Sequence, residues 1–248
     1  MNKHIKRWLF GIISFLLIST VAFFIYTAIY YHAGADSQNT ISNPPPNVFI
    51  TSLKDKGLTI EGMVFKPSES GSVGFIFYPG GKVEYTAYAP LMAACAERGI
   101  TCILVKMPFN LAVFGMNLAD QCRDLYPDIT TWYVGGHSLG GAIASYHIEK
   151  RANKYNGLIL LAAYSTKDLS SYNLDILSIY GSEDNVMNRK NHDSSLSNLG
   201  VYSEYIIQGG NHGNFGDYGF QRGDGHPSNN PIEQANETAD YISNFINN

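Results

Sequence analysis

No lysine or arginine occurs between Arg7 and Lys54 of this 248-residue chain, and no charge of either sign between Trp8 and Tyr31. Charged residues are sparse throughout, at 15%. Three of the 17 Lys and Arg residues lie before residue 8, so the remainder sets 14 of them against 21 Asp and Glu. Phosphate neutralisation needs clustered cations, and their lack excludes a nucleic-acid partner. Cysteine is scarce as well. Cys95, Cys102 and Cys122 match the spacing of neither a zinc site nor a dense disulfide framework, and read as buried thiols. Apolar residues are plentiful, at 45% with 13% aromatic, which excludes a disordered chain and suffices for the core of one ordinary domain.

The uncharged run at the amino end is 24 residues long, from Trp8 to Tyr31. As a helix it extends about 36 Å at about 1.5 Å per residue, enough to cross a bilayer with some tilt. Trp8 at one end and Tyr26, Tyr30 and Tyr31 at the other suit the two interfaces. Lys3, Lys6 and Arg7 precede the run and place residues 1–7 in the cytoplasm by the positive-inside rule. The expected order is a cytoplasmic segment 1–7, a single-pass anchor 8–31, a polar stalk 32–47 with its Pro44-Pro45-Pro46 run, and an extracytoplasmic domain 48–248. Ala33-Gly34-Ala35 offers the alternative of a cleaved signal peptide, which would release the domain by removing residues 1–35. An apolar run well beyond the usual signal core favours the anchor.

From residue 48 onward, short apolar runs alternate with amphipathic segments. Leu58–Phe65, Val73–Tyr78, Thr101–Met107, Thr131–Gly135, Gly157–Ala162, Leu174–Tyr180 and Val201–Gln208 read as strands. Helical patterns occupy Tyr85–Arg98, Met116–Tyr126, Leu139–Arg151, Arg189–Leu199 and Pro231–Ile246. Pro108–Gly115 reads as loop. The alternation predicts an α/β fold: a mostly parallel sheet with helices on both faces, its chemistry collected at the carboxyl ends of the strands.

Gly136-His137-Ser138-Leu139-Gly140 fits G-x-S-x-G between a strand pattern and a helical one. That placement suits a sharp turn holding a serine hydroxyl exposed in a strained conformation. A serine needs a base to take its proton, and the base needs an acid to orient it. Downstream, Asp184 and His212 each lie just past the carboxyl end of a predicted strand, in the order serine, acid, base. Glu183 is the alternative acid. His137, His147, His192 and His226 suit structural or surface roles. A developing oxyanion needs backbone donors. Leu139 supplies one, and the loop Pro79-Gly80-Gly81-Lys82 the other, with Gly81 as first choice and Lys82 as second. Asp217, Asp224 and His226 lack the spacing to converge on a metal ion, and no metal or other cofactor is expected.

Four segments in order carry a family resemblance: Phe77-Tyr78-Pro79-Gly80-Gly81-Lys82-Val83, Gly135–Gly141, Tyr180-Gly181-Ser182-Glu183-Asp184, and Gly209–Gly219. Over roughly residues 58–246 the chain resembles the compact bacterial α/β-hydrolases, lid-free and distantly similar to dienelactone hydrolases and esterases. The resemblance implies the α/β-hydrolase fold, with Ser138 as nucleophile, Asp184 as acid and His212 as base. It departs from dienelactone hydrolases proper, whose nucleophile is cysteine, so their substrate does not transfer. The expectation is a membrane-anchored serine hydrolase cleaving a small carboxylic ester through an acyl-enzyme, its partners a small acyl substrate and the membrane. An acyltransferase on the same residues and a catalytically silent binding domain are the alternatives.

Overall fold

The structure, a computed structural model, describes residues 3–56, 60–69 and 71–247. Contacts divide the chain into two compact units, Met1–Tyr30 and Tyr31–Asn248. The first is one helix, α1 (Lys3–Ala28). Its stretch Arg7–Ala28 is long and apolar enough to cross a membrane, a property that an anchor and a signal sequence share. The helix ends at Ala28, short of the expected boundary at Tyr31.

The second unit is built on one eight-stranded sheet in the order β1-β2-β4-β3-β5-β6-β7-β8. Its strands are β1 (Val48–Ser52), β2 (Gly62–Pro67), β3 (Val73–Tyr78), β4 (Thr101–Val105), β5 (Thr131–His137), β6 (Gly157–Leu161), β7 (Asp175–Gly181) and β8 (Tyr202–Ile207). β2 runs antiparallel to both β1 and β4, and every other pairing is parallel. The helices are α2 (Ala35–Ser42), α3 (Ala89–Glu97), α4 (Leu118–Asp124), α5 (Leu139–Glu149), α6 (Arg189–Ser195) and α7 (Pro231–Asn247).

Strand alternation sorts the apolar side chains into two cores. Phe75 and Phe77 pack on one face with α3 and α7 residues such as Leu91, Met92, Ala239 and Ile242. Ile76 and Tyr78 face the other way, toward Ala119 and Cys122 of α4 and Ala144 and Ile148 of α5. Both faces of the central strands are covered, which is why they read as continuous apolar runs. Each fully buried Phe, Leu or Ile contributes about 1.5–3 kcal/mol. All three cysteines are free and buried.

The mostly parallel sheet with helices on both sides is the one expected. Two elements were not foreseen, β1 and α2, and the strand expected at Leu58–Phe65 is displaced to β2; residues 57–59 lie outside those described. The stretch 32–47, expected as a stalk, is instead stitched to the domain. Tyr31 forms a parallel bridge with Val83, its N–H donating to the Lys82 carbonyl (2.8 Å) and its carbonyl accepting from the Glu84 N–H (2.8 Å). The Gly34 N–H donates to the Asp217 carbonyl (2.7 Å), and the Ser37 N–H to Asp217 Oδ2 (2.7 Å). A Cβ on Gly34 would sit 2.3 Å from the Asp217 carboxylate, so a larger residue would have to push that side chain aside. The composition is polar because these residues bond backbone and hydroxyl groups rather than bury apolar ones.

Candidate active site

The chain leaves β3, turns back to β4 on one side, and then crosses to β5 on the other. The crevice at the carboxyl ends of β3 and β5 is therefore a switch point, where open α/β sheets place their ligands. Backbone strain marks the same edge. Among the described residues, five other than glycine have positive φ: Lys82, Phe109, Asn110, Ser138 and Ala162. All five follow the carboxyl ends of β3, β4, β5 and β6. Such conformations cost on the order of 1–3 kcal/mol each and persist where surrounding structure enforces them.

Ser138 sits between β5 and α5 at φ 52°, ψ −122°, half-buried. Its N–H donates to the Leu161 carbonyl (2.9 Å) and its carbonyl accepts from the Ala142 N–H (3.1 Å), fixing the turn from both sides. A Cβ added at Gly136 or Gly140 would lie 2.3 or 2.1 Å from the Tyr78 carbonyl oxygen. The two motif glycines thus let the elbow press against the end of β3.

His212 follows β8 and Asp184 follows β7, and the two meet: Asp184 Oδ2 lies 2.9 Å from His212 Nδ1, both side chains buried. The other carboxylate oxygen accepts the N–H groups of Val186 (2.9 Å) and Met187 (2.8 Å), which holds the group aimed at the ring. A carboxylate on Nδ1 fixes that nitrogen as the protonated one and leaves Nε2 as the basic lone pair. Nε2 is buried and makes no hydrogen bond among the described residues. Glu183, the alternative acid, is exposed and directed at the Ser182 hydroxyl (3.1 Å).

In the loop after β3, hydrogen bonding distinguishes the candidate oxyanion donors. The Gly80 N–H donates to Tyr88 Oη (3.0 Å) and the Lys82 N–H to the Asn110 carbonyl (2.8 Å). Lys82 is thereby removed from the candidate donors, its N–H being taken up by the Asn110 carbonyl. No hydrogen bond among the described residues takes up the N–H of Gly81 or of Leu139. The two residues adjoin: a Cβ on Gly81 would lie 2.9 Å from Leu139 Cδ2 and 3.4 Å from Leu139 Cβ.

Two supporting residues escaped the sequence reading. Tyr88 Oη accepts from Gly80 and so directs its own proton to His137 Nδ1 (2.8 Å). The His137 ring packs 4.5 Å from that of His212, and burial, followed by the neighbouring His212, holds its pKa well below the usual histidine value. A neutral His137 therefore lies beside the basic imidazole. Asp224 is the second. Its Oδ2 accepts the Gly213 N–H (2.7 Å) and its Oδ1 the Asn185 N–H (3.3 Å), tying the His212 loop to the Asp184 loop. Tyr88 falls within the predicted helix Tyr85–Arg98, and the sequence reading considers Asp224 only as a metal ligand, so neither pattern pointed to these contacts.

The remaining histidines play other parts. His147 is buried against Tyr155 Oη (3.0 Å), and His192 against Ser178, Asp193 and Glu204. His226 is exposed and stacks on Phe220. Among the described residues, no group of three His, Cys, Asp or Glu converges as a metal site.

The model of the alpha/beta hydrolase family matches residues 74–236. No curated protein matches the sequence. Among solved structures, an esterase from Pyrobaculum calidifontis is similar with a TM-score of 0.60 at 16% identity, over 85% of this chain and 90% of that one. A predicted CIB-like hydrolase from Thermoplasma acidophilum gives 0.56 at 14% identity over 79% and 99%, and Est1E from Butyrivibrio proteoclasticus 0.57 at 12% over 82% and 100%. At such identities the structural likeness speaks for the fold. With the family model spanning most of the chain, the switch-point elbow and the mostly parallel sheet have their explanation: this chain belongs to the α/β-hydrolase family.

Proposed function

We propose that the chain is a serine hydrolase cleaving a carboxylic ester through an acyl-enzyme, held at a membrane by an uncleaved α1. The observation that carries the reading is the buried Asp184–His212 pair, whose Nε2 has no hydrogen-bond partner among the described residues, at the edge where the elbow presents Ser138. His212 Nε2 takes the Ser138 Oγ proton as the oxygen attacks the acyl carbon. Asp184 stabilises the imidazolium and keeps the ring in its tautomer. The N–H groups of Gly81 and Leu139 receive the negative charge on the carbonyl oxygen, Leu139 with the added field of the α5 amino end. His212 then returns the proton to the departing alcohol, and water repeats the sequence on the acyl-enzyme. The strained elbow keeps Oγ out of the helix and open to substrate.

The test is labelling by a fluorophosphonate together with turnover of p-nitrophenyl esters of graded acyl length. The wild type is expected to take label and turn over, and Ser138→Ala to lose both. Label retained by Ser138→Ala would remove Ser138 from its role.

A further inference from the structure

Tyr88 and His137 are buried polar side chains that the acyl-transfer steps above do not use, 0% and 1% exposed. Phenylalanine and leucine would fill the same space, and polar atoms in such surroundings cost free energy unless they are hydrogen-bonded. These are bonded, and their partners belong to the site. Tyr88 Oη accepts the N–H of Gly80 (3.0 Å), the residue before the Gly81 donor, and lies 2.8 Å from His137 Nδ1. His137 directly precedes Ser138, and its ring stands 4.5 Å from that of His212. A chain of two side chains thus touches the oxyanion loop, the elbow and the base.

The protons of this chain have one arrangement. Burial pushes the Tyr88 phenol up, so its proton stays on the oxygen. With the Gly80 N–H on one lone pair, that proton goes to His137 Nδ1, and a neutral imidazole then carries its own proton on Nε2. Nε2 makes no hydrogen bond among the described residues, and the His212 backbone favours a proton on the ring. Burial, and then the His212 ring, nevertheless keep His137 uncharged, so it is no second base. What it supplies is shape and direction. The Phe215 ring packs against it at 5.6 Å. A Cβ on Gly80 would lie 2.7 Å from Tyr88 Oη and 2.8 Å from His137 Nδ1, so a side chain there would crowd both partners.

We propose that Tyr88 and His137 are positioning residues for the acyl transfer. The Tyr88 hydroxyl holds the turn before Gly81 and the His137 tautomer together, and the ring so fixed sets His212 against Ser138 and the oxyanion donors. This rests on the proposed hydrolase reading. Neither residue touches a reacting atom; both act through the groups they hold, and a catalytic group displaced by about 1 Å costs about 100-fold.

The experiment uses the full chain in detergent, with kcat and KM measured on p-nitrophenyl acetate. The variants are Tyr88→Phe, His137→Leu, the two combined, and His137→Asn, whose side-chain oxygen replaces Nδ1 as acceptor. Tyr88→Phe should lower kcat about tenfold or more, about 1.4 kcal/mol, with KM within about threefold. His137→Leu should lose as much, and the double variant no more than either, since members of one chain are not additive. His137→Asn should recover most of what His137→Leu loses. Nitrogen-15 NMR of labelled histidines reads the chain directly, and tests it even if His137→Leu does not fold. His137 is expected with its proton on Nε2 in the wild type, and in mixed tautomers in Tyr88→Phe. A Tyr88→Phe kcat within about twofold of wild type, losses that multiply in the double variant, or a wild-type His137 protonated on Nδ1 would each overturn the proposal. A lowered Tm with kcat unchanged would do the same, marking the pair as packing alone. A wild type that turns over no ester and takes no fluorophosphonate sinks the hydrolase reading itself, whereas an active wild type beside an indifferent Tyr88→Phe sinks only the positioning.

Discussion

Replacing Asp217 by alanine tests whether the segment after Tyr31 is structural. Its carboxylate accepts the Ser37 N–H at 2.7 Å, and Ser37 is fully buried, its hydroxyl donating to the Ala87 carbonyl (3.1 Å). Removing the carboxylate strands a buried donor. A hydrogen bond to a charged group contributes about 1.5–3 kcal/mol net, so roughly 2 kcal/mol should be lost. For a domain of this size, each kcal/mol moves Tm by about 2–4 °C, which predicts a fall of roughly 4–8 °C. Thermal unfolding of the full chain in detergent, followed by circular dichroism, measures it. Ser37→Ala should cost about 1 kcal/mol, since only the hydroxyl bond is lost. Asp217→Asn should fall between wild type and Asp217→Ala, because the amide keeps one acceptor in place. If Asp217→Ala unfolds within a degree of wild type, the segment is a loose stalk and the packing argument fails.

Three further outcomes follow from the same geometry. Ser138→Gly should be more stable than Ser138→Ala by about 1 kcal/mol in thermal unfolding, because glycine relieves the positive φ and alanine does not; equal stability would show the elbow unstrained. Gly140→Ala should yield little folded protein by circular dichroism, since its Cβ would meet the Tyr78 carbonyl at 2.1 Å and neither backbone can yield; a normal Tm would refute that contact. The pH dependence concerns His147, whose pKa burial pulls from 6.5 down to about 4 against the opposing pull of Asp120. The unfolded chain binds this proton between pH 6.5 and 4 while the folded one does not, so its contribution is complete above 6.5 and lost as pH falls through that window. The loss amounts to on the order of 3 kcal/mol by pH 4, and His147→Phe should flatten the decline of Tm between pH 7 and 4.5; an unchanged slope would exclude His147 as the source.

The central strands were legible because burial on both faces writes each as an unbroken apolar run. Val73–Tyr78 appears as expected, and the elbow stands between β5 and α5 as its motif implied. Asp184 and His212 were legible by their position after strands. What escaped depends on long-range bonding. β1 is an edge strand of alternating exposure whose apolar run is only Val48-Phe49-Ile50, found through its pairing with β2. Tyr88 and Asp224 touch the site through single polar atoms, and Lys82 is disqualified by one carbonyl contributed from the next loop. No pattern within a window of sequence encodes such partners.

The segment 32–47 shows the difference most clearly. Its composition argued for a solvated spacer, yet the Ser37 N–H finds a carboxylate 180 positions away. Polar residues mark a stalk only if their hydrogen bonds go to water, and here they go to the two loops that flank the candidate site. The consequence is a test of how the site is held. Tyr31 grips the oxyanion loop and Gly34 with Ser37 grips the His212 loop, so a fragment beginning at Asn47 loses a clamp that one beginning at Tyr31 keeps. Both fragments retain every residue from Ser138 to His212. If the clamp positions the two loops, the shorter fragment should show a lower kcat on a soluble ester than the longer, together with a lower Tm. Equal kcat in both would mean that the strap binds the domain without setting the geometry of its catalytic edge.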